Sequence, residues 1–244
     1  GHGLYEQGLS TQHYGTPLGE AISLGIHESQ SRLWENSVGR SQAFWQYFYP
    51  KLREVFPSQL GGVQTDEFYL AINQAEPSLI RVEADELTYN LHIMVRFEIE
   101  LEIIEGRVQI DELPEIWNAK IEEYLGITPS NDAEGVLQDV HWSFGAFGYF
   151  PTYTLGNLYA AMLFDQAKKD MTDLEQNISQ GNFQPLKNWL NKHVHQWGRQ
   201  YSASDLIQRV TGQPLTPEPF IRNLEEKFGN LYQFPTSFSS KTST

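Results

Sequence analysis

The chain contains no cysteine, so disulfides and thiolate chemistry are excluded, and with them a disulfide-stapled scaffold. It is short of positive charge: 17 Lys and Arg stand against 31 Asp and Glu, a net charge of −14. A field of that sign repels phosphate backbones and anionic bilayers, so neither nucleic acid nor membrane is expected as a partner. No apolar run approaches the roughly 18 residues of a membrane span. No signal-peptide pattern leads the sequence, so the cytoplasm is the expected compartment. What the chain does have is 244 residues, 40% of them hydrophobic and 20% charged. That is enough for one large or two small domains with a buried core, and the composition is not that of a disordered chain.

Hydrophobic periodicity reads mostly as helix. In SQSRLWENSVGRSQAFWQYFYPKLREVF, apolar residues from Leu33 to Leu52 recur near helical spacing, and Pro50 is expected to break or kink the helix. The stretch ADELTYNLHIMVRFEIELEIIEG predicts a helix capped by Asp85 and ended by Gly106. Leu87, Leu91, Met94, Val95 and Ile99 form its apolar pattern, although the alternation in RFEIELEI also fits a strand. Further helices are expected over ELPEIWNAKIEEYLG, the small-residue-rich TYTLGNLYAAMLFDQAKKDM, NFQPLKNWLNKHVHQWG, SASDLIQRVTG and PEPFIRNLEEKFG. The last two should stop at Gly212 and Gly229. FYLAI and SLIRVE read as one small pair of strands. The Ser/Thr-rich end, PTSFSSKTST, reads as a frayed tail.

Two residues near the front suggest chemistry. Zinc proteases of one large class use two histidines four apart on a helix and a glutamate from a second helix. His2 and Glu28 stand in the order of the second histidine and that glutamate. Taken alone, His2 reads first as an ordinary solvated histidine, and Glu28 as an ordinary helix-face carboxylate.

Longer motifs decide more. GHGLYEQG at the front, HESQSRLWEN from His27, IRVEADELTYNLHI from Ile80, GVLQDVHW from Gly135, GYFPTYTLGNLYAA from Gly148 and YSASDLIQRVTGQPL from Tyr201 occur in one order. In these blocks the sequence resembles the carboxypeptidase Taq family of metal-dependent carboxypeptidases, over residues 1 to about 232. They correspond to the family's H-E-x-G-H-x-L-Y-E-Q-G, H-E-S-Q, I-R-x-x-A-D and G-x-x-Q-D-x-H-W patterns. Family members are much longer, and the first zinc histidine and the general-base glutamate of the pattern would lie before Gly1.

The resemblance implies a mainly α, zincin-like fold with a small β element beside a substrate groove. Residues 1–232 would be the C-terminal part of one catalytic domain and 233–244 a flexible tail. It also implies a zinc or cobalt site, a homodimer, and His2 and Glu28 as metal ligands. A carboxypeptidase must hold a free C-terminal carboxylate, which Arg does best through its bidentate fork. Arg81 is the candidate, with a structural ion pair to Asp85 as the competing reading. His141 and Tyr153 are the candidates to support the oxyanion, with Tyr149 behind them. Asp139 and Gln138 are candidates to orient a ligand histidine.

Two functions stay open. One is a metallocarboxypeptidase acting on peptide C-termini, present here as its C-terminal portion. The other is a non-enzymatic remnant serving as a peptide-binding or dimerisation module. With two of the protein ligands present, the metal site is expected to be empty or partial in this chain and its activity alone negligible, unless His27 or His141 substitutes as a ligand. Glu28, Arg81, His141 and Tyr153 are expected to line one cleft.

Overall fold

The structure is a computed structural model, and residues 1–234 are described. These residues are mainly helical and contain no β-strand. The helices are α1 (His2–Gly8), α2 (Leu24–Arg32), α3 (Gln42–Val55), α4 (Pro57–Leu60), α5 (Thr65–Ile72) and α6 (Tyr89–Ile104). They continue with α7 (Leu113–Leu125), α8 (Pro151–Asp170), α9 (Leu174–Ser179), α10 (Gln184–His193), α11 (Ala203–Thr211) and α12 (Glu218–Tyr232). A π-helical stretch, Leu33–Gly39, extends α2. No helix of the described residues is long and apolar enough to cross a membrane.

The expected β element is absent from the described residues. FYLAI lies in α5, and SLIRVE is a loop that tightens into a single 3₁₀ turn at Arg81–Glu83. The acidic first turn of α5, Asp66 and Glu67, favours a helix N-terminus. Pro50 does not end α3, which continues to Val55. Both Pro50 and Gln46, whose carbonyl loses its partner to the proline, are exposed, so water can take the lost bond. Gly229 does not end α12 either. That helix runs to Tyr232, and Gln233 takes the left-handed conformation at φ 56°. Gly212, at φ 73°, does close α11 as expected. The Ser/Thr-rich end lies outside the described residues.

The chain divides into two compact units. The first is Gly1–Ile72 together with the chain from Gly156 onward, and the second is Asn73–Leu155. In the second unit, Val95 and Ile99 of α6 pack on Leu113, Trp117, Ile121 and Leu125 of α7. The four α7 residues are spaced by four, one face of a helix. A second stripe on α6, His92, Arg96 and Glu100, is also buried. This helix therefore hides a polar face as well as an apolar one, while Leu87 and Met94 of the expected apolar pattern are exposed. Asp85 is not the cap of α6: Thr88 holds that position without a side-chain cap bond, and Asp85 orders the turn that leads into it. Its carboxylate accepts the backbone N–H groups of Leu87 and Thr88 at 2.8 and 2.9 Å.

In the first unit, α1 is anchored by Tyr5, which is fully buried and accepts the Ile22 N–H at 3.2 Å. Burial pushes the Tyr5 phenol up to about 12, so it stays neutral. Beneath it, buried His195 bonds Gln30 at 2.8 Å and Asn191 at 2.6 Å, joining α2 to α10.

Candidate active site

Each unit carries one cluster of the expected site residues. In the first unit, α1 presents His2, and α2 presents His27 and Glu28. His2 Nε2 stands 3.4 Å from Glu28 Oε2. The other Glu28 oxygen accepts the Arg32 Nε–H at 2.9 Å, one helical turn on, which fixes the carboxylate's rotation. The other ring nitrogen of His2, Nδ1, lies 2.6 Å from His27 Nδ1, and His27 Nε2 lies 2.9 Å from Glu6 Oε1.

Glu28 is held from behind by α8. A Cβ on Gly156 would come within 2.6 Å of Glu28 Cγ and 2.7 Å of its Cβ. The abundance of small residues in this helix thus reflects a close approach, and glycine is the residue that permits it.

The donor set fits a divalent transition metal. Two donors on a tetrahedral zinc, bound at about 2.0–2.1 Å, stand roughly 3.4 Å apart. His2 Nε2 and Glu28 Oε2 have that separation. Among the described residues, no group of three or more His, Asp or Glu is placed to hold a metal ion.

In the second unit, Arg81, His141 and Tyr153 come together. Arg81 is buried and gives Nε–H and Nη2–H to Asp139, the shortest contact being 2.6 Å, and Nη1–H to the Tyr89 hydroxyl at 2.9 Å. Its ion-pair partner is therefore Asp139, not Asp85, whose oxygens are occupied by Leu87 and Thr88 in the turn before α6. Arg96, fully buried, binds the same carboxylate through Nε at 2.8 Å and Gln138 Oε1 through Nη2 at 2.9 Å. The hydrogen bonds of Asp139 and Gln138 thus serve these two arginines, a role different from orienting a ligand histidine.

Both Arg81 and Arg96 pair with the single carboxylate of Asp139. Burial alone would raise Asp139, but the Arg81 hydrogen bonds and the Arg96 charge hold it below the usual carboxylate range. Burial likewise opposes the Arg81 charge, yet its bonds to Asp139 raise it overall. Burial pulls Arg96 down to about 10.

The His141–Tyr153 pair adjoins this cluster. His141 Nε2 lies 3.0 Å from the Tyr153 hydroxyl, and the Arg81 guanidinium sits 4.9 Å from the Tyr153 ring centre. Burial, outweighing the nearby Asp139 carboxylate, lowers the His141 imidazole and favours its neutral form. Tyr149 and Phe150 pack on its ring at 5.2 and 4.2 Å. Glu100 accepts the Trp142 indole N–H at 2.8 Å and the Gly148 backbone N–H at 3.0 Å, tying down both ends of the segment that follows His141.

Sequence reasoning missed Arg96, Glu100 and Arg32. Arg96 and Glu100 had one available signal, their spacing of four and eight from His92 on one face of the helix.

The model of the carboxypeptidase Taq (M32) metallopeptidase family matches residues 1–228. The chain belongs to that family. It is 53% identical over 232 residues to thermostable carboxypeptidase 1 of Thermus thermophilus, covering 95% of this chain and 45% of the relative. It is 42% identical over 228 residues to thermostable carboxypeptidase 1 of Pyrococcus furiosus, covering 93% of this chain and 46% of that protein. Among solved structures, the M32 carboxypeptidase from Deinococcus radiodurans R1 superposes with a TM-score of 0.93 at 46% identity, over 96% of this chain and 47% of the other. The carboxypeptidase Taq chain described here thus spans about half the length of the relatives it matches.

Proposed function

We propose that this chain carries the metal-facing and carboxylate-facing parts of a metallocarboxypeptidase centre acting on the C-terminal bond of peptides. The observation that carries the reading is the buried pair of arginines, Arg81 and Arg96, sharing the Asp139 carboxylate beside the His141–Tyr153 pair. A guanidinium with N–H groups to spare suits a peptide carboxylate. Arg81 has five N–H groups; its bonds to Asp139 and Tyr89 use three, and the other two form the clamp.

In the metal-bound protein, His2 Nε2 and Glu28 Oε2 are two of the ligands, and zinc or cobalt is the metal class. Held by these residues, a metal would supply Lewis acidity for water and the scissile carbonyl. Tyr153 donates its hydroxyl hydrogen to the developing oxyanion, and His141 orients that hydroxyl. With two converging donors, and with no general base assigned among the described residues, turnover by this chain alone is expected to be negligible. A homodimer in the cytoplasm completes the proposal, and sedimentation velocity at high concentration tests the dimer.

The site itself is tested with an N-blocked tripeptide, in free-acid and C-terminally amidated forms, with and without cobalt. The free acid should bind at least about tenfold tighter, in line with the loss of a charge-assisted contact, and Arg81→Ala should erase the difference. Equal affinity for acid and amide would overturn the clamp. Binding of the acid that excess cobalt leaves unchanged, with no cobalt held by His2 and Glu28, would favour the peptide-binding module, since the two converging metal donors would then be idle.

A further inference from the structure

We propose that Glu6 and His27 form a relay that fixes the tautomer of His2, baring the His2 Nε2 lone pair toward Glu28. The inference rests on the metal role proposed for His2 and Glu28, and it concerns how the chain prepares that ligand.

The proton positions follow from the chain of contacts. The Glu6 carboxylate can only accept, so the 2.9 Å contact requires the hydrogen on His27 Nε2. A neutral imidazole carries one N–H, which leaves His27 Nδ1 as a lone pair. That lone pair faces His2 Nδ1 at 2.6 Å, a separation that needs one hydrogen between the two nitrogens. The hydrogen must then belong to His2 Nδ1, and His2 Nε2 is bare. It faces Glu28 Oε2, another acceptor, at 3.4 Å. A charge-assisted N–H···O bond would be shorter, at about 2.7–2.9 Å. Two acceptors at this distance repel until a cation joins them.

The fold supplies the placement. His2 and Glu6 are one turn apart on α1 and so project from the same face. His27 lies between them, its ring edge against buried Tyr5 at 5.3 Å. Metal-ligating histidines generally donate their second N–H to an acceptor that orients the ring. Here that acceptor is a second imidazole, itself oriented by a carboxylate. Glu6 and His27 are thus positioning residues.

A surface Glu–His ion pair with no such role is the competing explanation, and it would leave the His2 proton unaffected. Glu6 is 56% exposed in its side chain, so its substitution leaves the core intact. The test is a long-range ¹H–¹⁵N spectrum of the ¹⁵N-histidine-labelled chain, recorded without metal at a pH well above the ordinary imidazole value. His2→Asn and His27→Gln identify the signals. The expected result is Nδ1–H on His2 and Nε2–H on His27. Glu6→Ala should move the majority of His2 to Nε2–H, and Glu6→Gln, whose carbonyl still accepts, should keep the wild-type pattern. Nε2–H on His2 in the wild type, or a His2 tautomer indifferent to Glu6→Ala, overturns the relay. Cobalt titration separates this outcome from the functional reading. If the tautomer is as expected but even a large excess of cobalt leaves the His2 signals of the wild type unchanged, the metal reading fails and the relay stands. If cobalt binds while His2 ignores Glu6, the relay fails and the metal reading stands.

Discussion

The two polar clusters of this protein are built on opposite principles. In the second unit, Arg81, Arg96, Asp139 and Gln138 are buried or nearly so, and each long polar group is held by two or more partners. In the first unit, His2 and Glu6 are half exposed and meet His27 and Glu28 through single contacts. The first arrangement stakes stability on every partner being present, because an unpaired buried charge is expensive. The second risks little stability and keeps donor atoms available. Buried charge pairing and metal readiness are therefore assigned to different places, and substitutions should separate them.

The largest effect is expected at Asp139. Asp139→Asn leaves two buried guanidiniums without a counter-charge and should cost about 3–5 kcal/mol in urea unfolding. A loss below about 1 kcal/mol would mean that the arginines are not truly paired through this carboxylate, and the contrast between the clusters would collapse.

Acid should unfold the protein through groups in both units. His92 and His195 are fully buried, and burial lowers each to about 4. The unfolded histidines titrate near 6.5, so between about 6.5 and 4 the unfolded chain binds more protons than the native one. Stability should therefore fall as pH drops through that window, by on the order of 3 kcal/mol per histidine at its lower end. Urea midpoints that stay flat from pH 7 to 4.5 would show that neither imidazole is held neutral.

Gly156→Ala should cost about 1–3 kcal/mol by overpacking. Because the new Cβ meets Glu28 at its Cβ and Cγ, the carboxylate must also move. Cobalt uptake should weaken with it; unchanged uptake would show that Glu28 is not positioned by α8.

A smaller loss, about 0.5–1.5 kcal/mol, is expected for Tyr153→Phe, which removes the bond to His141. The smallest belongs to His2→Ala, within about 0.5 kcal/mol in thermal unfolding because the site is exposed. That substitution should nonetheless abolish metal uptake. A large stability loss at His2 would place it with the architectural cluster.

Helices were readable where one face alone is buried. The spacing of four in α7 and the glycine after α11 translate directly into packing and termination. They failed to be readable where context overrode a local rule. Pro50 sits inside α3 because solvent can satisfy the carbonyl it orphans, and FYLAI is helical because an acidic first turn and tertiary packing outweigh its β-like composition. The reading of α6 found a helix but turned the wrong face inward. Met94 is exposed, whereas His92, Arg96 and Glu100 are buried. Periodicity counts apolar residues, so a polar stripe reads as solvent-facing until the partners of Arg96 and Glu100 from residues 138–148 are known.

By itself, the order of motifs in the sequence determined the family, the dominance of helix and the candidate residues His2, Glu28, Arg81, His141 and Tyr153. Motif residues stand at fixed local positions, and local spacing survives any tertiary arrangement. The tertiary structure alone decided what each of them touches. It gave Arg81 to Asp139 and Asp85 to the turn before α6, put a second arginine on the same carboxylate, and set His27 and Glu6 behind His2. Those pairings join residues up to 58 positions apart. At such separations the partner is chosen by packing of the intervening chain, which no local pattern encodes.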